Sequence, residues 1–219
     1  MLSLCGIHKS FGDVRVLKGI DLRLEKERIH TLKGGNGSGK TTLFNIITGF
    51  LQPSSGKLRF KDRDITGQLP YRINRQGIAR TFQDLRLALQ MTALENILLA
   101  QERKMFAFTT SEQKRQAEAI LERVALRHQK DTLAGELSYG QQKLLTLGCC
   151  IANNAELLLL DEPVAGIDKD NFRKVTALVR ELKDSGKTIL QIEHHPDYIK
   201  ETSDRVFYME GGHLREETN

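Results

Sequence analysis

The stretch Gly34-Gly35-Asn36-Gly37-Ser38-Gly39-Lys40-Thr41-Thr42 constrains this chain more than any other, because it matches the spacing G-x-x-x-x-G-K-[ST] in full. A chain of phosphates is held best by backbone N–H groups converging on it. Convergence at close approach needs backbone angles that glycine adopts freely. Gly34, Gly37 and Gly39 supply them. A strand-like run, Arg28–Leu32, precedes the loop. A helix-like run, Thr42–Ile47, follows, with the helix beginning near Lys40 and turning its positive end toward an anion. Lys40 is placed to reach β- and γ-phosphates, and the Thr41 hydroxyl to ligate Mg²⁺.

A second feature lies far along the chain. Leu157 to Leu160 are four consecutive leucines, as in a strand buried on both faces of a parallel sheet. They lead into Asp161 and Glu162, and ligands of such sheets bind beyond the strand's carboxyl end. Beside a phosphate loop, Asp161 is expected to handle Mg²⁺ and Glu162 to activate water. Other strand-length runs are Val14–Leu17, Ile20–Leu24, Lys57–Phe60, Thr188–Ile192 and Arg205–Met209. Helical spacing joins Ala117, Ile120, Leu121, Val124 and Ala125, in a helix expected to start at Ser111. It also joins Phe172, Val175, Val179 and Leu182. Strands and helices alternate as in a mostly parallel sheet covered by helices. Between about Leu85 and Ile151 the chain reads as helical, an insertion between two halves of an α/β core.

Composition excludes two classes. With 39% hydrophobic and 28% charged residues in 219, neither a membrane-spanning nor a disordered chain is expected. The N-terminus has no apolar signal core, so the expected location is the cytosol. Cys5, Cys149 and Cys150 have no metal-type spacing and read as reduced, buried thiols. The formal net charge is +5, and residues 57–80 alone carry seven basic residues against Asp62 and Asp64. That stretch, from Lys57 to Arg80, reads as a solvated loop and strand face.

With these motifs in place, the sequence resembles the nucleotide-binding subunits of ABC (ATP-binding cassette) transporters over essentially its whole length. The segment Leu137-Ser138-Tyr139-Gly140-Gln141-Gln142 resembles the family signature LSGGQ, with Tyr139 replacing a glycine. Gln83 matches the Q-loop glutamine, Ala165-Gly166-Ile167-Asp168 the D-loop and His194 the switch histidine. Phe11 matches the aromatic that stacks on adenine. The resemblance implies a P-loop NTPase (RecA-like) α/β core with an N-terminal antiparallel β subdomain, at 1–83 and 152–219, and a helical signature subdomain at 84–151. It implies two cassettes pairing head to tail around two ATP molecules. Gly34, Gly35, Asn36, Gly37, Ser38, Gly39, Lys40, Thr41 and Thr42 would then bind ATP. Thr41, Gln83 and Asp161 would hold Mg²⁺. Ser138 and Gly140 would bind the γ-phosphate in trans, and Asp168 would contact the partner. Glu162 would be the general base, Gln83 would touch the attacking water, and His194 would hold the γ-phosphate.

The stretches Gly77–Leu87 and Met91–Ala100, with Asp161–Asp168, look most like importer ATPases for branched-chain amino acids, then urea and amide importers. The implied partners are a second cassette and a membrane permease, with the chain peripheral on the inner face of the membrane. Leu85, Leu87, Leu89 and Met91 are candidates for permease contact. The basic stretch would face anionic lipid or permease loops, not nucleic acid. The competing reading is a soluble, non-transport ABC ATPase acting on nucleic acid or ribosomes. Gly35 stands where the family usually has proline, and Lys143 and Leu144 replace a more basic run. His195 reads as an exposed histidine before Pro196. With eight residues beyond Gly211, no regulatory C-terminal domain is expected.

Overall fold

The computed structural model describes residues 1–83, 85–101 and 110–217; Asp84, the first residue of the expected helical segment, lies outside them. The chain begins with strands β1 (Leu2–Phe11), β2 (Val14–Leu24) and β3 (Ile29–Lys33), then helix α1 (Lys40–Ile47). Next come β4 (Ser55–Phe60), β5 (Arg63–Asp64), α2 (Pro70–Arg75) and β6 (Ile78–Arg80). Helices α3 (Ala93–Gln101), α4 (Ser111–Arg123) and α5 (Tyr139–Ala152) follow. The rest is β7 (Leu157–Asp161), α6 (Lys169–Asp184), β8 (Thr188–Ile192), α7 (Pro196–Thr202), β9 (Arg205–Glu210) and β10 (His213–Glu216).

The strands form two sheets. One is antiparallel in the order β2-β1-β4-β5. The other runs β10-β9-β3-β8-β7-β6, with its last five strands parallel and β10 antiparallel at the edge. The leucines of β7 explain how the layers meet. All four are buried, and the pleat sends successive side chains to opposite faces. Leu158 and Leu160 enter a core shared with α3–α6, while Leu157 and Leu159 enter one shared with α1 and the antiparallel sheet. One strand therefore ties both halves together. Emptying any of these positions to alanine would cost about 2–5 kcal/mol.

Several expectations change. Val14–Leu17 and Ile20–Leu24 are one strand, β2, with Gly19 at φ +82° inside it. The run Leu2–Phe11 is a full strand whose alternation is broken by Gly6 at φ +56° and by register shifts against β2. α4 does start at Ser111, as expected, with Thr110 as its cap. The Thr110 hydroxyl accepts the Gln113 N–H at 3.2 Å, and the Gln113 side chain accepts the Thr110 N–H at 2.8 Å. Of the three thiols, Cys150 is buried and Cys149 half-buried, but Cys5 is exposed, being on the outward face of β1. Among the described residues, no helix is long and apolar enough to cross a membrane.

Candidate functional site

Parallel strands of the larger sheet end on one edge, and four of them run straight into the residues singled out above. β3 leads into Gly34 and β6 into Thr81–Gln83; β7 ends on Asp161, and β8 is followed by Glu193 and His194.

The phosphate loop is built as its glycines require. Gly34, Gly37 and Gly39 have φ of 148°, 76° and 106°. A Cβ on Gly34 would lie 2.8 Å from Ser38 Oγ, and one on Gly39 2.8 Å from Leu17 Cδ2. Gly35, Asn36 and Gly37 are exposed, Thr41 is exposed and Thr42 half-buried at the start of α1. Lys40 is buried, and its Nζ donates to the carbonyls of Gly34 at 2.6 Å and Gly35 at 2.9 Å. Burial lowers its pKa, and the charges of Glu162 and Asp161 oppose that shift. Ser38 Oγ is buried with no hydrogen-bond partner among the described residues. A buried hydroxyl with spare capacity, inside a cradle that a Cβ would fill, suits a phosphate oxygen.

Asp161 is engaged by a residue that sequence reading placed elsewhere. Arg80 Nη2 donates to Asp161 Oδ2 at 2.9 Å, and the two side chains are only 4% and 5% exposed. Arg80 Nη1 reaches Asn45 Oδ1 at 2.6 Å. Burial lowers the arginine pKa and the bond to Asp161 raises it. Arg80 therefore does not belong to the solvated face expected for residues 57–80. The three residues of β6 are too short a run to mark as a strand in the sequence, so only its pairing with β7 shows where Arg80 lies.

Glu162 sits at φ 50°, a strained region for a residue with a side chain. Its N–H donates to the Ile192 carbonyl at 3.0 Å, and its own carbonyl accepts Lys143 Nζ at 2.5 Å. Lys143 is buried and its pKa is lowered by burial, against the charges of Glu193, Glu162 and Asp161. The lysine that follows the signature thus fastens α5 to the strained residue after β7. Gln83 is exposed, with Nε2 3.5 Å from Glu162 Oε2, the outer limit of a hydrogen bond. Glu193 is the other residue sequence reading passed over. Buried, it accepts N–H bonds from Val164 at 3.1 Å, His194 at 2.7 Å and His195 at 3.1 Å. It therefore ties the segment after Glu162 to the segment carrying His194. Both histidines are exposed, and His195 packs on Phe172 with ring centroids 4.8 Å apart.

The signature and D-loop residues form a second group. Ser138 caps α5: its hydroxyl accepts the Gln141 N–H at 3.3 Å, and its N–H donates to Gln141 Oε1 at 2.9 Å. Ser138 is exposed, whereas Gly140 is buried against Asn171 of α6. Tyr139 is exposed, lying over Gly166 with Lys143 Nζ 5.3 Å from its ring centre. Asp168 caps α6, accepting the N–H groups of Asp170 and Asn171 at 3.0 Å and Asn171 Nδ2 at 2.6 Å. These bonds hold its carboxyl below the usual carboxylate range. Among the described residues, no hydrogen bond joins Ser138, Gly140 or Asp168 to residues 34–42. Phe11, at the end of β1, is 47% exposed with Lys9 Nζ 5.0 Å from its ring centre.

A phosphate cradle at the carboxyl edge of a parallel sheet, with two acids ending the neighbouring strand, puts the chain among P-loop ATPases. Within that class it belongs to the ABC transporter family, whose profile matches residues 17–165. It is 35% identical to the high-affinity branched-chain amino acid transport ATP-binding protein BraF of Pseudomonas aeruginosa, over 97% of this chain and 89% of that protein. Identity to the E. coli K12 protein of the same description, LivG, is 34% with the same coverage. A ribose import ATP-binding protein, RbsA of Halalkalibacterium halodurans, is 33% identical over 97% of this chain and 43% of its own length. Among solved structures, an ABC transporter cassette in its ADP conformation superposes with a TM-score of 0.91 at 35% identity, covering 100% of this chain and 91% of the other. A dimeric bacterial ABC transporter cassette superposes at 0.89 with 25% identity, covering 100% and 98%. The chain is an ATP-binding, ATP-hydrolysing subunit of an ABC transporter.

Proposed function

We propose that this chain powers an importer, pairing head to tail with a second cassette and docking on a permease at the cytoplasmic face of the membrane. The observation that carries the reading is the meeting of the Lys40 loop, Asp161 and Glu162 at one sheet edge. The cargo favoured is a branched-chain amino acid, with urea or an amide next. The identities to BraF and LivG support the amino acid, as does the motif run from Gly77 to Leu87.

In this reading the chain is one cassette, with 84–151 as its helical part. Residues 34–42 hold the phosphates of ATP, and Phe11, half-exposed at a strand end, stacks on adenine. Asp161, Thr41 and Gln83 hold Mg²⁺. All three offer oxygen, the donor Mg²⁺ prefers, and Asp161 Oδ1 has no partner among the described residues. Bound there, Mg²⁺ neutralises charge on the phosphates. Glu162 takes a proton from the attacking water, oriented with Gln83. The water oxygen bonds the γ-phosphorus as the bond to the β–γ bridging oxygen breaks, giving ADP and phosphate. His194 holds the γ-phosphate from the next strand. Ser138 and Gly140 present the N-terminus of α5 to the partner's γ-phosphate, and Asp168 lies at the same interface.

For the permease, a groove of about 650 Å³ lined by Phe50, Tyr71 and Phe82 together with Asn74, Arg75 and Gln76 suits an amphipathic segment with acidic side chains. Exposed Leu89 and half-buried Leu85 and Met91 remain candidates for contact. Leu87 packs against the larger core, which accounts for its apolar character without a partner. The exposed basic residues of 57–75 face lipid headgroups or permease loops.

Glu162→Gln tests the reading. With ATP and Mg²⁺ this variant should lose steady-state hydrolysis and elute as a stable dimer. Retained turnover, or a monomer under those conditions, would remove Glu162 from the base role.

A further inference from the structure

Arg80 is charged, buried and outside every role assigned above. One planar guanidinium spans two elements: Nη2 donates to Asp161 Oδ2 at 2.9 Å and Nη1 to Asn45 Oδ1 at 2.6 Å. Asn45 lies on α1, the helix that starts at Lys40. Aromatic rings grip the guanidinium, with its central carbon 5.3 Å from the Phe44 ring centre and 4.7 Å from that of Phe82. Phe82 is itself held, by Arg86 at 3.6 Å and by the edge-on ring of Phe50 at 5.5 Å. Such contacts attract the guanidinium to the ring faces and fix its plane.

Stability alone is a poor reason for this arrangement. Apolar residues of similar volume often replace a buried ion pair at no cost. Arg80 Nε is even left buried without a partner among the described residues. What the pair does achieve is orientation. Asp161 is held by one oxygen, from a group braced on the phosphate-loop helix, and its Oδ1 is left for a cation.

We propose that Arg80 is the positioning residue of the metal site, fixing Asp161 through Oδ2 so that Oδ1 meets Mg²⁺ in register with Thr41. The inference rests on Asp161 being a Mg²⁺ ligand, as proposed above. Lysine would not serve equally, because a single ammonium lacks the fork that spans Asp161 and Asn45.

The test compares wild type with Arg80→Met, Arg80→Lys, Asp161→Asn and the Arg80→Met/Asp161→Asn double variant. Bound Mn²⁺ is counted by electron paramagnetic resonance with a non-hydrolysable ATP analogue. Affinity for the analogue in EDTA and the melting temperature are measured alongside. Partners that orient metal ligands are worth about 10–100-fold in metal affinity, so Arg80→Met should weaken Mn²⁺ binding by that factor. Analogue affinity in EDTA should stay within about twofold, and Arg80→Lys should fall between Arg80→Met and wild type. On the Asp161→Asn background, Arg80→Met should cost less than about threefold, because no carboxylate remains to be held. Mn²⁺ affinity within about twofold of wild type in either Arg80 variant overturns the proposal, as does the full loss persisting without the carboxylate. If Arg80→Met does not fold, Arg80→Lys at an unchanged melting temperature decides on the same criterion. Failure of the underlying reading has its own signature: Asp161→Asn alone would leave Mn²⁺ binding intact.

Discussion

Gly140→Ala separates two explanations of the signature glycine. If the residue only presents its backbone to a partner's nucleotide, alanine in the first turn of α5 should stabilise the isolated chain. The gain would be up to about 1 kcal/mol, because alanine is the better helix former. The packing argues the opposite. A Cβ at this position would lie 2.7 Å from Asn171 Cγ and 3.0 Å from Asn171 Cβ, with Nδ2 closer still. Asn171 is 8% exposed, so it has little room to retreat. Moving it breaks the 2.6 Å bond from Nδ2 to Asp168, which caps α6. Overpacking costs about 1–3 kcal/mol and a weakened cap about 1 kcal/mol, against the propensity gain of about 1 kcal/mol. The net is a loss of about 1–3 kcal/mol. For a chain of this size that lowers the melting temperature by about 2–12 °C. Differential scanning calorimetry on nucleotide-free protein reads it directly, with no contact in trans to confuse the sign. In an Asn171→Ala background the same substitution should become neutral or stabilising, as the clash has been removed. A rise in melting temperature for Gly140→Ala alone would refute the argument.

Lys40→Ala should abolish nucleotide binding measured by fluorescent ATP analogue, since the loop loses its one charge; binding within about twofold would contradict the phosphate-loop assignment. Lys143→Met should lower both stability, by about 1–3 kcal/mol, and turnover, because the carbonyl of strained Glu162 loses its charged donor; unchanged melting and kcat would deny Lys143 that role. The hydrogen bonds that depress the Asp168 carboxyl contribute stability that is present at neutral pH. It disappears as pH falls through the usual carboxylate range to the folded value. The melting-temperature gap between wild type and Asp168→Ala should therefore stay constant down to about pH 5 and narrow as the pH falls further, and a gap unchanged down to about pH 2 would rule this out. Burial pushes the Cys149 and Cys150 thiols up to about 12, so iodoacetamide at about pH 8 should label Cys5 alone in the folded chain. Labelling of more than one thiol by mass spectrometry would count against that packing.

What was legible in the sequence was whatever depends on local order. The glycine spacing of residues 34–42 announces positive φ angles, and a run of four leucines announces a strand with two covered faces. The span Thr188–Ile192 is correct to the residue because β-branched Thr188, Ile189 and Ile192 favour a strand and Gly186-Lys187 and Glu193 bound it. Legibility failed where a single residue shifts the pattern. Gly6 and Gly19 sit at positive φ inside β1 and β2, which disrupts the alternation that marks a strand. It failed again where meaning comes from distant partners. Arg80 looks like one more surface cation until β6 is laid beside β7. Lys143 has no explanation until α5 meets the residue after Asp161. Glu193 is one more acid in the sequence, and only the fold brings three backbone N–H groups onto its carboxylate.

Arg80 and Lys143 share one property with Lys40, which bears on how the site stays ready for its ligand. Lys40, Arg80 and Lys143 are cations whose pKa burial lowers, and each is offset by acids around the end of β7. Arg80 is committed to a carboxylate, Asp161. Lys143 is fastened to the Glu162 carbonyl beneath Tyr139. Lys40 alone of the three bonds only to carbonyls of a loop whose Gly35, Asn36 and Gly37 face solvent. Exchanging two neutral acceptors for a phosphate adds the attraction of opposite charges to hydrogen bonds that Lys40 already makes. Exchanging the partners of the other two would leave Asp161 or the strained Glu162 backbone unsupported. The arrangement therefore frees one cation for the nucleotide and spends the other two on holding the acids in place.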